Sequence, residues 1–548
     1  MGDRDTDDIA DRLAVFLEGA LGRDGLEVRE LARLSGGASR ETYAFDLLDA
    51  VKGGSQPLIL QRIRQGVRGG ATSMVGESGL LRAAAAGGVP VAPVIAASDD
   101  PEIVGNPFLV MGRVEGETIA RRLLRDDEFA VARSRLVGQC ASAMAAIHAV
   151  PMAVADHLEL QEPISQMRAL IDMLGQPHPA FELGLRWLEA NRPPASDPTV
   201  VHGDFRLGNL MVDEDGLAAV LDWELAHLGD PMEDLGWLCV RAWRFGSDLA
   251  VAGVGDYPDL IAAYEAASGT TVDPEVVRWW EVVGTLRWGV ICVMQASSHL
   301  TGASRSVELA AIGRRVCENE YDLLGLIGAR PAAAADVGSS PPDGGPALTD
   351  LHGEPTAAQL LEAVREFLEG DVMASTQGRV QFHARVAARV LATVERELAL
   401  DGRDRAAHAA RLASLGVTDD AELAAAIRGG TIADPAAVDA VVWADVVAKL
   451  QVANPDYFEA DDRARRQAMV EWKPPSTWMI SPVVWGNQSD SSATHALATP
   501  DESLTSQPSG ARGSHTSSKS LKPGIDLAAI VFTGPAATRL TRTPFGPR

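Results

Sequence analysis

The sequence predicts an α+β domain followed by an all-α domain, and three features carry that expectation. Over the first 112 residues, short β-type runs are bounded by glycine and proline. From about Ile119 the apolar spacing turns helical, broken by one strand–loop–strand passage at 200–224. Beyond a Pro/Gly/Ala-rich stretch at 330–348, helical stripes run to about Asn454. With 548 residues, 46% of them apolar, the chain is too long for one core and implies two or three domains.

The elements follow in order. In TDDIADRLAVFLEGALG, Ile9, Leu13, Phe16, Leu17 and Ala20 repeat at helical spacing, and Gly22 ends the run. LARLSGGASRETYAF reads as strand, glycine turn and strand, and PLILQRIR is a third strand. ATSMVGESGLLRAAAAGG is a helix closed by Gly87 and Gly88, and VPVAPVIAAS and NPFLVMGRVEG are further strands. The later PTAAQLLEAVREFLEG and GRVQFHARVAARVLATVEREL carry apolar stripes through Leu360, Val364, Phe367 and Val386, Val390, Leu398, which predict core faces. The predicted organisation is 1–112, a β-rich lobe; 113–329, a helical lobe; 330–349, a linker; 350–458, an all-helical domain; and 459–548, a mostly disordered tail. From about residue 479 the tail turns Ser/Thr-rich and more basic than acidic, as a read-through or altered frame would.

Composition excludes several classes. A net charge of −26 and a pI near 4.8 disfavour nucleic acid and anionic membranes as partners. No apolar run reaches the roughly 18–20 residues of a membrane span, and the acidic N-terminus is unlike a leader, so a cytoplasmic location is expected. The four cysteines form no CxxC or His/Cys cluster.

The chemistry concentrates in VVHGDFRLGNLMVDEDGLAAVLDWE, 200–224. Phosphoryl transfer needs a carboxylate near the acceptor hydroxyl, oxygen ligands for Mg²⁺, and cations or N–H groups on the phosphates. Asp204, in the loop after an apolar strand, can take the proton of a hydroxyl. Asn209 offers an amide oxygen, and Asp222 ends the next strand with a hard anionic oxygen, a pair suited to Mg²⁺.

HGDFRLGNLMV…VLDWE…GDPMEDLG resembles the aminoglycoside/choline phosphotransferase family of the two-lobed protein-kinase-like fold, in the branch joined to certain acyl-CoA dehydrogenases. Over residues 25–325 the resemblance implies ATP and Mg²⁺ as cofactors and a small-molecule hydroxyl as substrate. It casts Asp204 and Arg206 as catalytic, the latter at the transferred phosphate or else as a substrate anchor, and Asn209 and Asp222 as metal ligands. His202 becomes a support for the loop, and Glu224 a neighbour of the metal or a loop-closing group. Gly36, Gly37 and Ser39 would form the glycine turn over the phosphates, although two glycines between strands also make a plain hairpin. No lysine occupies the third strand. Leu58, Leu60 and Arg62 share one face by alternation, so Arg62 would meet the phosphates, with Arg64 the alternative, and Glu77 would pair with that cation. Met111 would lie near adenine, or else be a core methionine, and Arg113 to Glu115 in the hinge would supply backbone hydrogen bonds. Asp230 reads as a turn brace and Asp234 as a helix cap.

Arg241, Arg244, Arg278 and Arg287 alternate with tryptophans in the later helices. They read either as helix packing or as the lining of a pocket for an anionic, partly apolar acceptor such as a hydroxyacyl-CoA. The helical domain resembles a module appended to such kinases and offers a surface for a protein partner or a second copy. A pseudokinase and an aminoglycoside- or choline-type kinase are the alternatives.

Overall fold

A computed structural model describes residues 3–34, 40–64, 73–331 and 356–458. Gly36, Gly37 and Ser39, residues 332–349 of the linker and the tail lie outside them. Residues to Tyr457 belong to one compact unit.

The first lobe opens with α1 (Asp3–Leu21), then β1 (Leu26–Arg33), β2 (Arg40–Asp49) and β3 (Ser55–Ile63). It continues through α2 (Met74–Ala86), β4 (Val94–Ser98), a one-turn α3 (Pro101–Val104) and β5 (Phe108–Gly112). The strands form one antiparallel sheet in the order β1-β2-β3-β5-β4. Its register sorts the two faces, because residues directly opposite across a ladder point the same way. Tyr43, Leu60 and Val110 stand in one row and pack on Ile9, Leu13 and Leu17 of α1. Thr42, Gln61 and Leu109 stand in the next row on the opposite face, where Leu109 joins the core containing Met74 and Leu80 of α2.

The helical lobe contains α4 (Ala120–Arg125), α5 (Ala130–His148), α6 (Pro163–Leu174) and α7 (Pro179–Ala190). Two short antiparallel ribbons follow, β6 (Thr199–Val201) with β9 (His227–Gly229), and β7 (Leu210–Val212) with β8 (Leu217–Val220). It closes with α8 (Met232–Cys239), α9 (Tyr257–Ser268), α10 (Pro274–Leu300), α11 (Val307–Gly313) and α12 (Val316–Leu326). This is a two-lobed, kinase-like architecture. No helix among the described residues is long and apolar enough to cross a membrane.

The C-terminal region is helical: α13 (Ala357–Phe367), the short α14 (Met373–Ser375), α15 (Gly378–Ser414), α16 (Asp420–Gly429) and α17 (Pro435–Ala453). It docks on the helical lobe. Arg428 Nη2 donates to Asp172 Oδ1 at 2.8 Å and to Glu182 Oε1 at 2.7 Å. Tyr457 Oη donates to Asp322 Oδ2 at 2.6 Å, and Asn454 Nδ2 to Glu318 Oε1 at 2.9 Å. The stripes on α13 and α15 do not all become core: Leu360, Val364, Phe367, Val380 and Leu398 are exposed. Amphipathic spacing identifies a helix face without identifying what covers it.

Lys449 of α17 ties this region to Glu320 of α12. Burial alone would raise the Glu320 carboxyl, but Lys449 and the hydrogen bond from His178 bring it down to about 2. A depressed carboxyl stabilises the fold fully above its unfolded value, about 4.3, and that contribution is lost as pH falls toward 2. Lys449→Met is therefore expected to lower Tm at pH 7, with the gap to wild type narrowing below about pH 4 as Glu320 takes up a proton. Calorimetry from pH 7 to pH 3 checks this, and a gap that widens in acid contradicts it.

Candidate active site

The loop after β6 is held from beneath. Asp234, in the first turn of α8, accepts from the His202 N–H at 2.8 Å and the Gly203 N–H at 2.9 Å, and meets His148 Nε2 at 3.2 Å. It thus anchors the loop, where helix capping was expected. Burial alone would raise its carboxyl, but the bonds to His148 and His202 hold it below the ordinary value. Asp230 braces its turn, accepting from the Met232 N–H and the Ser196 hydroxyl, each at 2.8 Å.

Gly203 adopts φ +77°, and a Cβ there would lie 2.5 Å from Leu225 O and 3.0 Å from His227 Nδ1. Only glycine fits both the backbone angle and the space. Gly203→Ala is expected to cost about 1–3 kcal/mol, read from denaturant midpoints at unchanged m. An unchanged midpoint contradicts it.

His202 is buried, and burial lowers its pKa, which keeps the ring neutral. Its Nδ1 accepts from the Asp204 N–H at 3.2 Å, so Nε2 carries the proton and donates to Leu221 O at 3.0 Å. The ring thereby links the Asp204 loop to the strand end before Asp222. A second link is the Leu221 N–H bond to Asn209 O, at 2.8 Å.

Asp204 is almost fully buried and held by three side chains. Oδ1 accepts from Trp237 Nε1 at 2.9 Å and Arg206 Nε at 3.0 Å, and Oδ2 accepts from Asn209 Nδ2 at 2.6 Å. With its Nδ2 on Asp204, Asn209 keeps its Oδ1 for another partner. Arg206 is turned onto Asp204, and its guanidinium lies over Trp243, 4.8 Å from the ring centroid. Asp222 adopts φ +63° at the start of the next turn. Burial, then the charge of Glu224, pushes its carboxyl up to about 8. An aspartate carboxylate on the turn tied to Asn209 through the Leu221 N–H is an oxygen donor of the kind a hard divalent cation prefers.

The structure corrects the pairing expected between Arg62 and Glu77. Arg62 faces α1, away from α2: Nε donates to Glu41 Oε2 at 2.7 Å, Nη1 to Val104 O at 2.7 Å and Nη2 to Tyr43 Oη at 3.1 Å. Glu41 stands directly opposite Arg62 across the β2/β3 ladder, so the two pair on the outer face. Glu77 instead holds Arg40, the first residue of β2, through bonds of 2.7 and 2.6 Å. Arg40 Nε also reaches Glu224 Oε2 at 3.2 Å, so one guanidinium joins α2 to the turn after Asp222. Burial works against its charge, but Glu77, Glu224 and Asp222 outweigh that and raise its pKa. Gln61 of β3 lies beside it, 3.3 Å from Arg40 Nη1. Strand alternation carried the missed signal, since Arg40, Thr42 and Ala44 share the face of Gln61 and Ile59.

Met111 lies opposite Ile59 on that same face and packs against the larger core. The Arg113 N–H donates to Pro57 O at 3.2 Å.

The arginine–tryptophan helices are packing. Arg241 bonds Asp322 and Tyr457 O, Arg244 bonds Glu281, Arg278 bonds Leu326 O, and Arg287 bonds Glu233, while all five neighbouring tryptophans are buried.

Residues 30–280 match the model of the phosphotransferase enzyme family. The chain therefore carries a phosphotransferase-family domain with a kinase-like fold. Residues 374–457 match a domain of unknown function, DUF6285. Acyl-CoA dehydrogenase family member 10 of Mus musculus is 30% identical over 260 residues, covering 45% of this chain and 23% of that protein. Acyl-CoA dehydrogenase family member 11 of Homo sapiens is 28% identical over 199 residues, covering 32% of this chain and 25% of that one. The chain thus spans about a quarter of the length of these relatives. Among solved structures, a Ralstonia eutropha protein assigned to the aminoglycoside phosphotransferases has TM-score 0.47 and 22% identity, covering 58% of this chain and 98% of that one. An aminoglycoside phosphotransferase in complex with GDP and kanamycin has TM-score 0.39 and 14% identity, covering 57% and 98%.

Proposed function

We propose that this chain is an ATP- and Mg²⁺-dependent phosphotransferase acting on a hydroxyl of a small molecule. The observation that carries the reading is the Asp204 carboxylate, fixed by Trp237, Arg206 and Asn209 in a loop bonded to the strand that ends at Asp222. Asp204 orients the acceptor O–H and takes its proton as the oxygen bonds to the γ-phosphorus and ADP leaves. Asn209 Oδ1 and Asp222 would hold magnesium, which would supply charge neutralisation at the phosphates. Arg40 is the phosphate-side cation, with Glu77 and Glu224 holding it. Arg206 supports Asp204 beside the transferred group, and Met111 contributes to the adenine wall. The glycine turn at Gly36, Gly37 and Ser39 covers the phosphates in this reading.

The acceptor belongs to the anionic class of hydroxyacyl-CoA-like thioesters. The names of the relatives favour this, and so does one cluster. Burial, then repulsion from Arg389, Arg125 and Arg385, lowers the pKa of Arg121. Arg121 and Arg125 lie on α4 and Arg385 and Arg389 on α15, and none of the four forms an ion pair among the described residues. Such a group fits phosphates carried by the acceptor.

A turnover screen with Mg-ATP against 3- and 4-hydroxyacyl-CoAs, choline-like alcohols, sugars and aminoglycosides tests both levels. Phosphorylation of aminoglycosides alone overturns the acceptor class, and no turnover of any alcohol overturns the activity. The Arg121→Ala/Arg389→Ala double variant is expected to raise KM for the CoA acceptor about tenfold or more with KM for ATP unchanged. Equal changes in both KM values contradict the assignment.

A further inference from the structure

Away from the catalytic cleft, a cavity of about 360 Å³ lies between α12 and the helices α15 and α17. In its wall three successive helices each bring one side chain to a common point. His408 comes from α15, Asp420 from the first turn of α16 and Asp445 from α17, and their candidate ligand atoms all lie within 4.8 Å of one another. His408 Nδ1 is 3.0 Å from Asp445 Oδ1, and Nε2 is 3.7 Å from Asp420 Oδ1. The Asp445 side chain is only 8% exposed, and its Oδ2 is buried with no hydrogen-bond partner among the described residues. A buried carboxylate oxygen without a donor is costly unless something positive meets it.

We propose that His408, Asp420 and Asp445 bind one divalent transition-metal ion of the zinc or manganese class, which fastens α15, α16 and α17 together. One imidazole nitrogen and two carboxylates form a mixed N/O donor set, which favours such ions over magnesium, a cation that prefers oxygen alone. Two native cations stand near and leave the site intact. Arg411 engages Asp445 through Oδ1, 2.7 Å from its Nε, and so orients the carboxylate with Oδ2 left over. Lys449 is held chiefly by Glu320, with Asp420 and Asp445 as weaker neighbours. The cavity leaves room for water on the remaining coordination positions. The site is separate from Asn209 and Asp222 in residues and in donor chemistry, so it stands or falls independently of the kinase reading.

The test uses the untagged full chain, stripped with EDTA and dialysed. On adding Zn²⁺ or Mn²⁺, one equivalent is expected to remain after gel filtration, with Tm raised by about 3 °C or more at saturation. Co²⁺ is expected to give a visible absorption band of a nitrogen/oxygen site. His408→Gln and Asp420→Asn are each expected to lose the retained metal, the Tm gain and the Co²⁺ band, while their stripped forms melt within about 2 °C of stripped wild type. Asp222→Asn keeps all three signals. The proposal is overturned if wild type retains no stoichiometric metal, or if His408→Gln and Asp420→Asn retain it as wild type does.

Discussion

Asp204→Asn is expected to lower kcat about 10³-fold with little change in nucleotide affinity. Asparagine keeps an oxygen for Trp237 Nε1 and Arg206 Nε, so the loop retains those two bonds and Arg206 keeps its partner. The base is gone, and the new amide faces the Asn209 amide, donor against donor, where Asp204 Oδ2 accepted at 2.6 Å. Asp204→Ala removes the same base but leaves a buried guanidinium without its carboxylate, so its loss of activity would mix chemistry with stability. Steady-state ADP release and nucleotide titration calorimetry separate these effects. Retention of more than about a tenth of wild-type turnover in Asp204→Asn would remove Asp204 as the base. A wild type that binds ATP without turning over any acceptor is the pseudokinase outcome.

Arg40→Ala is expected to destabilise the fold by about 3–5 kcal/mol and to raise KM for ATP at least tenfold. Both effects have one origin. Glu77 is 2% exposed and accepts from Arg40 through both carboxylate oxygens, so removal strands a buried carboxylate and takes away the cation proposed for the phosphates. Arg62→Met provides the contrast. Arg62 also sits in a buried network, with Glu41 and Tyr43, but on the α1 face of the sheet, so its loss is expected to lower Tm and leave KM for ATP within about twofold. If Arg62→Met raised KM for ATP and Arg40→Ala did not, the faces would be assigned the wrong way round.

The contrast shows what the sequence held. The HxDxxxxN loop and the strand ending at Asp222 were legible because their spacing is local: backbone geometry over a few residues brings Asp204 and Asn209 together. The Leu221 N–H bond to Asn209 then ties in the second strand. The cation was not legible from β3 alone. Leu58 and Leu60 on one face and Ile59 and Ile63 on the other are equally apolar, so alternation defined two faces without telling which looked at α2. That choice depends on α1 covering the other side, which is a tertiary fact. Asp234 was misread for a similar reason: its place in the first turn suggested a cap, but its carboxylate accepts from the N–H groups of His202 and Gly203. In the arginine–tryptophan helices, composition is the same for a pocket wall and for a packed interior, and only the partners of each guanidinium distinguish them.

The indole of Trp237, hydrogen-bonded to Asp204, also makes the proposed reaction centre optically addressable. Its emission responds to the field of the carboxylate beside it, and Trp243 sits 5.2 Å away, within range for excitation to pass between the rings. Whatever disturbs Asp204 therefore writes itself into the protein's native fluorescence. The difference between wild-type and Trp237→Phe emission isolates that signal and lets acceptor engagement be followed in real time without an added dye.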